Sequence, residues 1–270
     1  MNDLSRQGFD FAPTTALSVE RVNWVKHWND HLFSFAVTRP ASFRFRSGEF
    51  VMLGLPGEKR PLLRAYSIAN ASYADELEFL SIKVPDGPLT SRLCNIQAGD
   101  QLFLGRKPTG TLVADALTPG SRLFLLSTGT GLAPFLSIVR DPDIYDCFGQ
   151  VVLAHSVRCV ADLAYRNELE SQLAGDPLVQ DQALLQFHYV PTVTREPFRT
   201  TSRIGDLIDD GSLFGTLGGP AKLDPETDRV MLCGSMAMIR DISAKLDAMG
   251  FEEGSNARPG SYVIERAFVD

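Results

Sequence analysis

The chain has 270 residues, of which 44% are hydrophobic and 22% charged, and its formal net charge is −7. This length and composition fit a globular protein with two domains of ordinary size, each with its own core. The negative charge argues against a general affinity for nucleic acid or for an anionic membrane surface.

The N-terminal segment, MNDLSRQGFDFAPTT, has no basic region followed by an apolar core, so we expect no secretory signal and a cytoplasmic protein. The four cysteines, at positions 94, 147, 159 and 233, lie far apart without a C-x-x-C motif. This spacing argues against a cysteine-ligated iron–sulfur cluster and favours reduced thiols. His27 and His31 fall in a predicted turn without a ligand pattern nearby, so we expect surface histidines and no metal site.

The first half of the chain predicts a β-barrel. Short strand-like runs, separated by turns rich in Gly, Pro, Asp and Asn, extend to about residue 115: LSVERVNWV, LFSFAVTR, FVMLGL, RAYSIAN, LEFLSIKV and QLFLGR. Regular spacing of this kind indicates a closed or nearly closed antiparallel barrel. One helix is predicted between them, from Leu89 to Ile96.

The fourth of these runs has an unusual pair of faces. Strand alternation places Arg64 and Tyr66 on one side, and the small residues Ala65, Ser67 and Ala69 on the other. Taken alone, a cation beside an aromatic ring would also fit a surface pair without a ligand.

After residues 117–120, LTPG, strands alternate with helices, so we place a domain boundary near residue 116. The predicted strands are RLFLLS, QVVLAHS, LLQFHYV, DRVMLCG and SYVIERAF. The clearest predicted helices, ADLAYRNELESQLAG and MAMIRDISAKLDAMG, both end in Gly, as a left-handed C-cap would. This alternation predicts a parallel sheet, which binds ligands beyond the carboxyl ends of its strands. The uncharged run at residues 123–139 is too short for a membrane span and has a polar centre.

Several polar segments follow these strands directly. The turn STGTGLAPF, residues 127–135, contains glycines that permit close approach of a ligand and leads into a helix that suits a phosphate. Arg158, Arg195 and Arg203 follow or lie near the ends of the next two strands. Guanidinium groups bind phosphate through paired hydrogen bonds, so this set predicts a phosphate-bearing ligand in an otherwise acidic protein.

Three motifs together resemble the ferredoxin/flavodoxin–NADP reductase family: R-x-Y-S at 64–67, G-T-G-x-A-P-F at 129–135 and C-G-S-M at 233–236. The segments SIKVPDGPLTSRL and YVIERAFV are similar to those of its bacterial branch, and the resemblance covers nearly the whole chain. It implies an antiparallel β-barrel FAD domain over residues 1–116. An α/β parallel-sheet NADP(H)-binding domain would follow over residues 117–270, with its C-terminal segment returning to the flavin.

In the barrel, the resemblance implies that Arg64 pairs with the FAD pyrophosphate, Tyr66 stacks on the isoalloxazine ring and Ser67 lies near flavin N5. The segment VPDGPLT would supply backbone amides and the Thr90 hydroxyl to the FAD phosphates. The FAD contacts implied are Arg64, Ala65, Tyr66, Ser67, Ile82, Lys83, Pro88, Leu89 and Thr90. Since alternation separates Ser67 from Tyr66, both reach one flavin only if the strand bends or the ring lies at its end.

In the second half, the resemblance implies that Thr130 and Gly131 face the nicotinamide dinucleotide. Arg158, Thr194, Arg195 and Arg203 would hold the 2′-phosphate. The other cofactor contacts implied are Ser156, Val157, Gly234, Ser235, Met236, Ala267 and Phe268. Catalytic roles are implied for Ser67, Cys233 and Glu265. An inert buried thiol and an ordinary strand carboxylate remain the alternatives for the last two.

The tail departs from plant-type members of the family, which end in a tyrosine over the flavin. Ala267 stands at the matching position, so we expect Ala267 over the isoalloxazine ring and Phe268 near the FAD adenine. The alternative is a frayed chain end.

The resemblance implies an FAD enzyme that takes hydride from NADPH and passes single electrons to ferredoxin or flavodoxin, and we expect a monomer. Such carriers are usually acidic, so docking would need a local basic patch. The candidates for this patch, which also fit ordinary solvated loops, are Arg44, Arg46, Lys59 and Arg60. Two alternatives stay open: the reductase component of an oxygenase, and a flavin-binding electron-transfer subunit of a larger complex.

Overall fold

The computed structural model describes residues 12–266, which fall into two compact units divided between Gly110 and Thr111. The sequence placed this division near residue 116. Residues 111–116 belong to the second unit because the Thr111 hydroxyl donates to the Ile264 carbonyl at 2.7 Å. The Gly260 amide likewise donates to the Ala116 carbonyl at 3.0 Å. No helix among the described residues is long and apolar enough to cross a membrane.

The first unit is a single antiparallel sheet of six strands, ordered β4-β3-β6-β1-β2-β5. The strands are β1 Leu17–His27, β2 Leu32–Thr38, β3 Phe50–Leu55, β4 Leu62–Ser67, β5 Glu76–Ile82 and β6 Gln101–Gly105. The sheet curls into a barrel because the chain just after β4 reaches β5 at the opposite edge. Ile68 forms a bridge with Phe79 there, and the Ala69 amide donates to the Glu78 carbonyl at 2.8 Å. The predicted antiparallel barrel is confirmed.

The barrel core is aromatic. Phe33, Phe35 and Phe79 have no exposed surface, and their rings pack at centroid distances of 5.4 to 5.8 Å. The helix predicted from Leu89 to Ile96 is a single turn in the structure, α1, Thr90–Leu93. Leu93 is buried against this core.

The second unit contains a parallel sheet of five strands, ordered β11-β10-β7-β8-β9. The strands are β7 Arg122–Thr128, β8 Gln150–Val157, β9 Phe187–Val193, β10 Asp228–Gly234 and β11 Tyr262–Arg266. The helices are α2 Leu132–Ile138, α3 Pro142–Cys147, α4 Arg166–Glu170, α5 Gln180–Gln186, α6 Ile204–Asp209 and α7 Met236–Ala248. Every residue of β10 is buried, as expected for a strand covered on both faces. The predicted parallel sheet is confirmed.

Two local predictions in this unit are wrong. The third strand of the sheet begins at Phe187, because Leu184 and Leu185 belong to α5. The predicted helix ADLAYRNELESQLAG breaks into a turn of 3₁₀-helix at Val160–Asp162 and the short α4. Tyr165 and Leu173, each with φ 58°, interrupt it. Both side chains are buried, so packing has overridden helix propensity there. The predicted helix MAMIRDISAKLDAMG is confirmed as α7, with Gly250 at φ 89° beyond its end.

Candidate functional site

Tyr66 is anchored in the barrel wall by its ring edge. Its ring packs edge-on against Phe35 and Phe79, at centroid distances of 6.3 and 6.2 Å. Its hydroxyl lies 3.3 Å from Ser81 Oγ. Burial raises the pKa of the phenol, so the hydroxyl stays protonated. The ring orientation is therefore set by the core, as a stacking platform requires.

The rest of the R-x-Y-S motif lies at an accessible strand end. Arg64 and Ala65 are exposed, whereas Tyr66 and Ser67 are half-buried. β4 ends at Ser67, and the chain then turns inward to bury Ile68. A ligand at this strand end can contact both Tyr66 and Ser67, which is one of the two arrangements that alternation permits.

The segment before α1 offers backbone donors. Among the described residues, no acceptor lies in hydrogen-bonding range of the Leu89 and Thr90 amides. Gly87 is required beside them, because a Cβ there would lie 2.2 Å from Thr90 Oγ1. The Thr90 hydroxyl donates to the Val84 carbonyl at 3.2 Å, so it would have to turn away from that carbonyl to donate to a phosphate. These amides fit the phosphate role predicted for this segment.

The other predicted contacts in the barrel differ in what they can offer. The Leu89 side chain is buried in the core, which leaves only its backbone for a ligand. The Lys83 ammonium lies 3.2 Å from the Asn29 carbonyl, so part of its donor capacity is used within the protein. Ile82 is the last residue of β5, and Pro88 is exposed.

In the second unit, the turn after β7 is compressed against the end of β10. Gly129 has φ 55°, a left-handed conformation that glycine adopts without strain. A Cβ on Gly131 would lie 2.2 Å from the Cys233 carbonyl oxygen, so only glycine fits. The positive φ thus explains Gly129 and the close backbone approach explains Gly131, and Thr130 between them is half-buried at the carboxyl end of the sheet.

The C-G-S-M segment is hydrogen-bonded to the last residue of β7, directly before this turn. The Ser235 amide donates to Thr128 Oγ1 at 2.8 Å, and Ser235 Oγ accepts from the Met238 amide at 3.3 Å at the start of α7. Gly234, at φ 152°, leaves no room for a Cβ, which would lie 2.2 Å from Thr128 Oγ1. The structure therefore brings Thr130, Gly131, Gly234, Ser235 and Met236 together at one edge.

Cys233 and Glu265 are neighbours across two parallel strands, paired in register on β10 and β11. Cys233 is fully buried, and Glu265 is half-buried. Burial, and then the charge of Glu265, raises the pKa of the Cys233 thiol well above its usual value. Cys233 is therefore a neutral thiol, which excludes a thiolate role in this environment.

The predicted arginines gather where β8 and β9 end. Val157 pairs with Val193 in register, and the Arg195 amide donates to the Arg158 carbonyl at 3.0 Å. The loop then folds back, so that Thr192 Oγ1 donates to the Ser202 carbonyl beside Arg203. All three guanidinium groups are exposed, and none pairs with a carboxylate of the described residues. This is the arrangement expected of an open phosphate site.

The polar groups between these arginines are partly occupied. Thr194 donates to the Val157 carbonyl through its amide at 3.0 Å and its hydroxyl at 3.1 Å. The side chains of Ser156 and Val157 are buried. Any contact of Ser156 or Val157 with a ligand would therefore be made by backbone atoms.

Of the predicted docking arginines, Arg46 pairs with Glu49 at 3.0 Å and Arg44 donates to the Ala41 carbonyl at 2.8 Å. Lys59 and Arg60 line a cavity of about 400 Å³, which Arg92 also borders. All four predicted cations are exposed, and two of them, Lys59 and Arg60, border this cavity. Ala267 and Phe268 lie outside the described residues.

The sequence did not single out Thr128, His155 or Tyr189. His155 lies on β8, buried, with Nε2 3.0 Å from the Gly129 carbonyl and Nδ1 3.3 Å from Tyr189 Oη. The available signal for His155 was a polar residue after the apolar run VVLA, near the carboxyl end of the strand, which is where such sheets place ligands.

The two units each match a domain of known type. The description "Oxidoreductase FAD-binding domain" applies to residues 19–113, and "Oxidoreductase NAD-binding domain" to residues 125–244. A curled antiparallel barrel followed by a parallel sheet with a glycine turn and free arginines thus defines a two-domain flavin- and nicotinamide-dependent oxidoreductase.

Individual relatives narrow this class. A ferredoxin–NADP reductase of Pseudomonas aeruginosa is 51% identical over 94% of this chain and 98% of its own length. A flavodoxin/ferredoxin–NADP reductase of Rhodobacter capsulatus is 50% identical, with 96% of each chain covered. A crystal structure of a ferredoxin NADP⁺ reductase from Neisseria gonorrhoeae with bound FAD and NADP is 34% identical. It superimposes with a TM-score of 0.85 and covers 94% of this chain and 100% of that one. The chain belongs to the ferredoxin–NADP reductase family, and the resemblance seen in the sequence is confirmed.

Proposed function

We propose that this chain is an FAD-dependent ferredoxin/flavodoxin–NADP⁺ reductase, which couples hydride exchange with NADPH to single-electron exchange with a small carrier. The observation that carries this proposal is that one chain of this family contains a candidate flavin site and a candidate nicotinamide dinucleotide site. The barrel has an anchored tyrosine beside an exposed arginine, and the sheet has a glycine turn near three free arginines. The predicted enzyme class and cofactors agree with this family membership.

The barrel residues fit FAD. Tyr66 is held by its edge and hydroxyl, which suits it to stack on the isoalloxazine ring. The exposed Arg64 and the amides of Leu89 and Thr90 are donors for the pyrophosphate. When bound, FAD supplies the exchange between two-electron and one-electron chemistry, and the protein supplies its binding and orientation.

The sheet residues fit NADP(H). The turn from Gly129 to Gly131 lets the dinucleotide approach the backbone closely. Arg158, Arg195 and Arg203 offer paired donors to the 2′-phosphate, which NADPH carries and NADH lacks. Thr194 would donate its hydroxyl to this phosphate by turning it away from the Val157 carbonyl, to which it donates in this structure.

Three residues are proposed to act near the reacting atoms. Ser67, at the end of β4, would hydrogen-bond near flavin N5. Cys233, as a neutral thiol, would shape the nicotinamide pocket by packing. Glu265, beside it on β11, would orient groups or hold a proton.

Ferredoxin, flavodoxin or both are the proposed carriers, since the relatives' names mention them. The chain is acidic overall, so an acidic carrier must meet a local positive region. Lys59 and Arg60, with Arg92 nearby, are the proposed centre of that region. We further propose that the protein acts in the cytoplasm as a monomer.

The proposal is tested with the purified full-length chain. We expect a yellow protein that releases FAD, and not FMN, on denaturation. It should oxidise NADPH in preference to NADH and pass electrons to added ferredoxin or flavodoxin. A colourless protein that FAD cannot reconstitute would contradict the flavin site. Reduction of artificial acceptors without reduction of either carrier would contradict the partner class and favour a dedicated complex.

A further inference from the structure

His155 is a buried titratable residue on β8 with no role in the site described so far. Its side chain is 1% exposed, and the strand around it is mostly apolar, with Ser156 beside it as another buried polar residue. A polar side chain in such a place costs free energy unless hydrogen bonds satisfy it. Both ring nitrogens of His155 have partners, which suggests a specific role.

The partners fix which nitrogen carries the proton. Nε2 lies 3.0 Å from the Gly129 carbonyl oxygen, which can only accept, so Nε2 must donate. In a neutral ring Nδ1 is then an acceptor, and Tyr189 Oη, 3.3 Å away, is its donor. A directed chain of two hydrogen bonds therefore runs from Tyr189 on β9, through His155 on β8, to the turn after β7.

The protonation states of both residues are stable near neutral pH. Burial lowers the pKa of His155 to about 4, although Gly129 and the charge of Asp162 oppose that shift. Burial and the charge of Glu170 raise the pKa of Tyr189, so its hydroxyl keeps its proton. The chain of hydrogen bonds thus holds one direction throughout the neutral range.

The Gly129 carbonyl, which receives this chain, also accepts from the Leu132 amide that closes the 3₁₀ turn after β7. Gly129 has φ 55°, and an ideal Cβ built on it would touch nothing within 4 Å. No neighbouring atom therefore packs against that side of the residue. The far end of the same turn is fixed by the close approach of Gly131 to Cys233. The strand before it is fixed by the hydrogen bond from Ser235 to Thr128. The bond from His155 adds a constraint from β8 to the one that the Leu132 amide supplies at the Gly129 carbonyl.

We propose that His155 is a positioning residue for the dinucleotide: its Nε2 holds the Gly129 carbonyl, and Tyr189 orients its ring through Nδ1. This inference rests on the proposed function, in which the Gly129–Gly131 turn contacts NADP(H). The turn is distinct from the arginines assigned to the 2′-phosphate. His155 should therefore affect NADPH and NADH alike, unlike those arginines.

Three variants of the FAD-loaded full chain test the role. His155→Leu removes both hydrogen bonds, and His155→Gln restores a donor near the Nε2 position. One neutral hydrogen bond corresponds to about a two- to tenfold change in affinity. We expect His155→Leu to raise the Kd of NADP⁺ and the KM values of NADPH and NADH within that range, with kcat nearly unchanged. His155→Gln should restore most of the loss, and Tyr189→Phe should show a smaller rise.

His188→Gln is the matched control, because His188 lies half-buried on β9 without a contact to the turn. It should leave the Kd and both KM values unchanged. Thermal unfolding of each variant separates loss of folding from loss of positioning. If His155→Leu does not fold, Tyr189→Phe carries the test. Unchanged NADP⁺ binding in every folded variant, or a loss confined to NADPH, would overturn the proposal.

The proton arrangement has a direct readout that needs no nucleotide. The chain has only four histidines, so ¹⁵N-histidine labelling with NMR can resolve the ring of His155. We expect a protonated Nε2 and an unprotonated Nδ1 at pH 7, also in Tyr189→Phe, where the Gly129 carbonyl still requires a donor. A protonated Nδ1 in the unaltered protein would overturn the inference. If that protein shows the expected tautomer but binds no NADP⁺, the proposed function fails instead.

Discussion

The two ends of the parallel sheet use arginine in opposite ways. At the amino end, Arg122 is buried and makes a two-pronged ion pair with Asp228, at 2.7 and 2.6 Å. Its guanidinium also packs over Phe124 and Phe214, at 5.2 and 5.7 Å from the ring centroids. Arg229, which follows Asp228 in the sequence, donates to the carbonyls of Thr118 and Pro225 at 2.9 Å. The guanidinium donors of both arginines are therefore hydrogen-bonded within the protein.

At the carboxyl end, Arg158, Arg195 and Arg203 are exposed and pair with no carboxylate of the described residues. The same residue type is therefore a structural clamp at one end and an available charge at the other. The difference follows from the parallel sheet, which leaves its carboxyl end open for ligands. It implies that arginine substitutions at the amino end should affect stability, and those at the carboxyl end should affect nucleotide binding.

The largest effect is expected from Arg122→Leu, which leaves Asp228 buried without its partner. Removing one member of a buried ion pair costs about 3–5 kcal/mol. We expect a loss of that size in the free energy of unfolding, measured by urea denaturation. Arg195→Ala is the control at the opposite end and should change stability by less than about 0.5 kcal/mol. Similar losses in the two variants would break the comparison.

The next effect concerns the buried group at the carboxyl end, His155. Its folded pKa of about 4 lies below the unfolded value of 6.5, so between these values only the unfolded chain takes up a proton. Stability should therefore fall as the pH drops from about 6.5 to about 4, by roughly 3 kcal/mol from this residue. Above pH 6.5 His155 should contribute no pH dependence.

Unfolding free energies at pH 7, 5.5 and 4, compared between the unaltered protein and His155→Gln, measure this contribution. The variant should lack this part of the acid-induced loss. Parallel pH profiles for the two proteins would show that His155 is not held neutral by the fold.

Arg203→Ala sharpens the comparison at the ligand end. Loss of one charged hydrogen-bonded contact to phosphate is worth about 1.5–3 kcal/mol, or about one to two decades in affinity. We expect the KM for NADPH to rise by that factor, with that for NADH and the unfolding free energy nearly unchanged. Steady-state kinetics with both nucleotides checks it. Equal losses with NADPH and NADH would mean that the 2′-phosphate lies elsewhere.

The smallest effect is expected in the loop that carries Arg195. Phe198 packs between the guanidinium groups of Arg166 and Arg199, at 5.1 and 5.6 Å from its ring centroid. Exposed cation–π contacts are worth about 0.5–1 kcal/mol each. Phe198→Leu should therefore loosen the loop and raise the KM for NADPH about fivefold, with little change for NADH. Phe198→Tyr keeps the ring and should behave like the unaltered protein. A Leu variant identical to the Tyr variant would show that the ring does not hold the loop.

Local pattern in the sequence was enough to predict both types of sheet and most of their strands. It also predicted the glycines and arginines that the structure places at the carboxyl end of the parallel sheet, whose roles stay predictions. The run DRVMLCG predicts β10 residue for residue, because continuous apolar character marks a strand covered on both faces. The final Gly of MAMIRDISAKLDAMG marks the end of α7. The positive φ of Gly129 and the accessible end of the R-x-Y-S strand likewise follow from local backbone geometry, whereas glycine is required at position 131 because Cys233 of β10 lies against it.

Tertiary structure alone decided which polar groups meet. Arg122 and Arg158 both adjoin apolar runs, yet one is buried against Asp228, 106 residues away, and the other stays exposed. The helix predicted around Tyr165 breaks because its buried side chains outweigh the propensity of the segment. His155 and Tyr189, 34 residues apart, meet only because β8 pairs with β9. Periodicity encodes the faces of each element, but the hydrogen bonds between elements depend on strand order and register, which no local window contains.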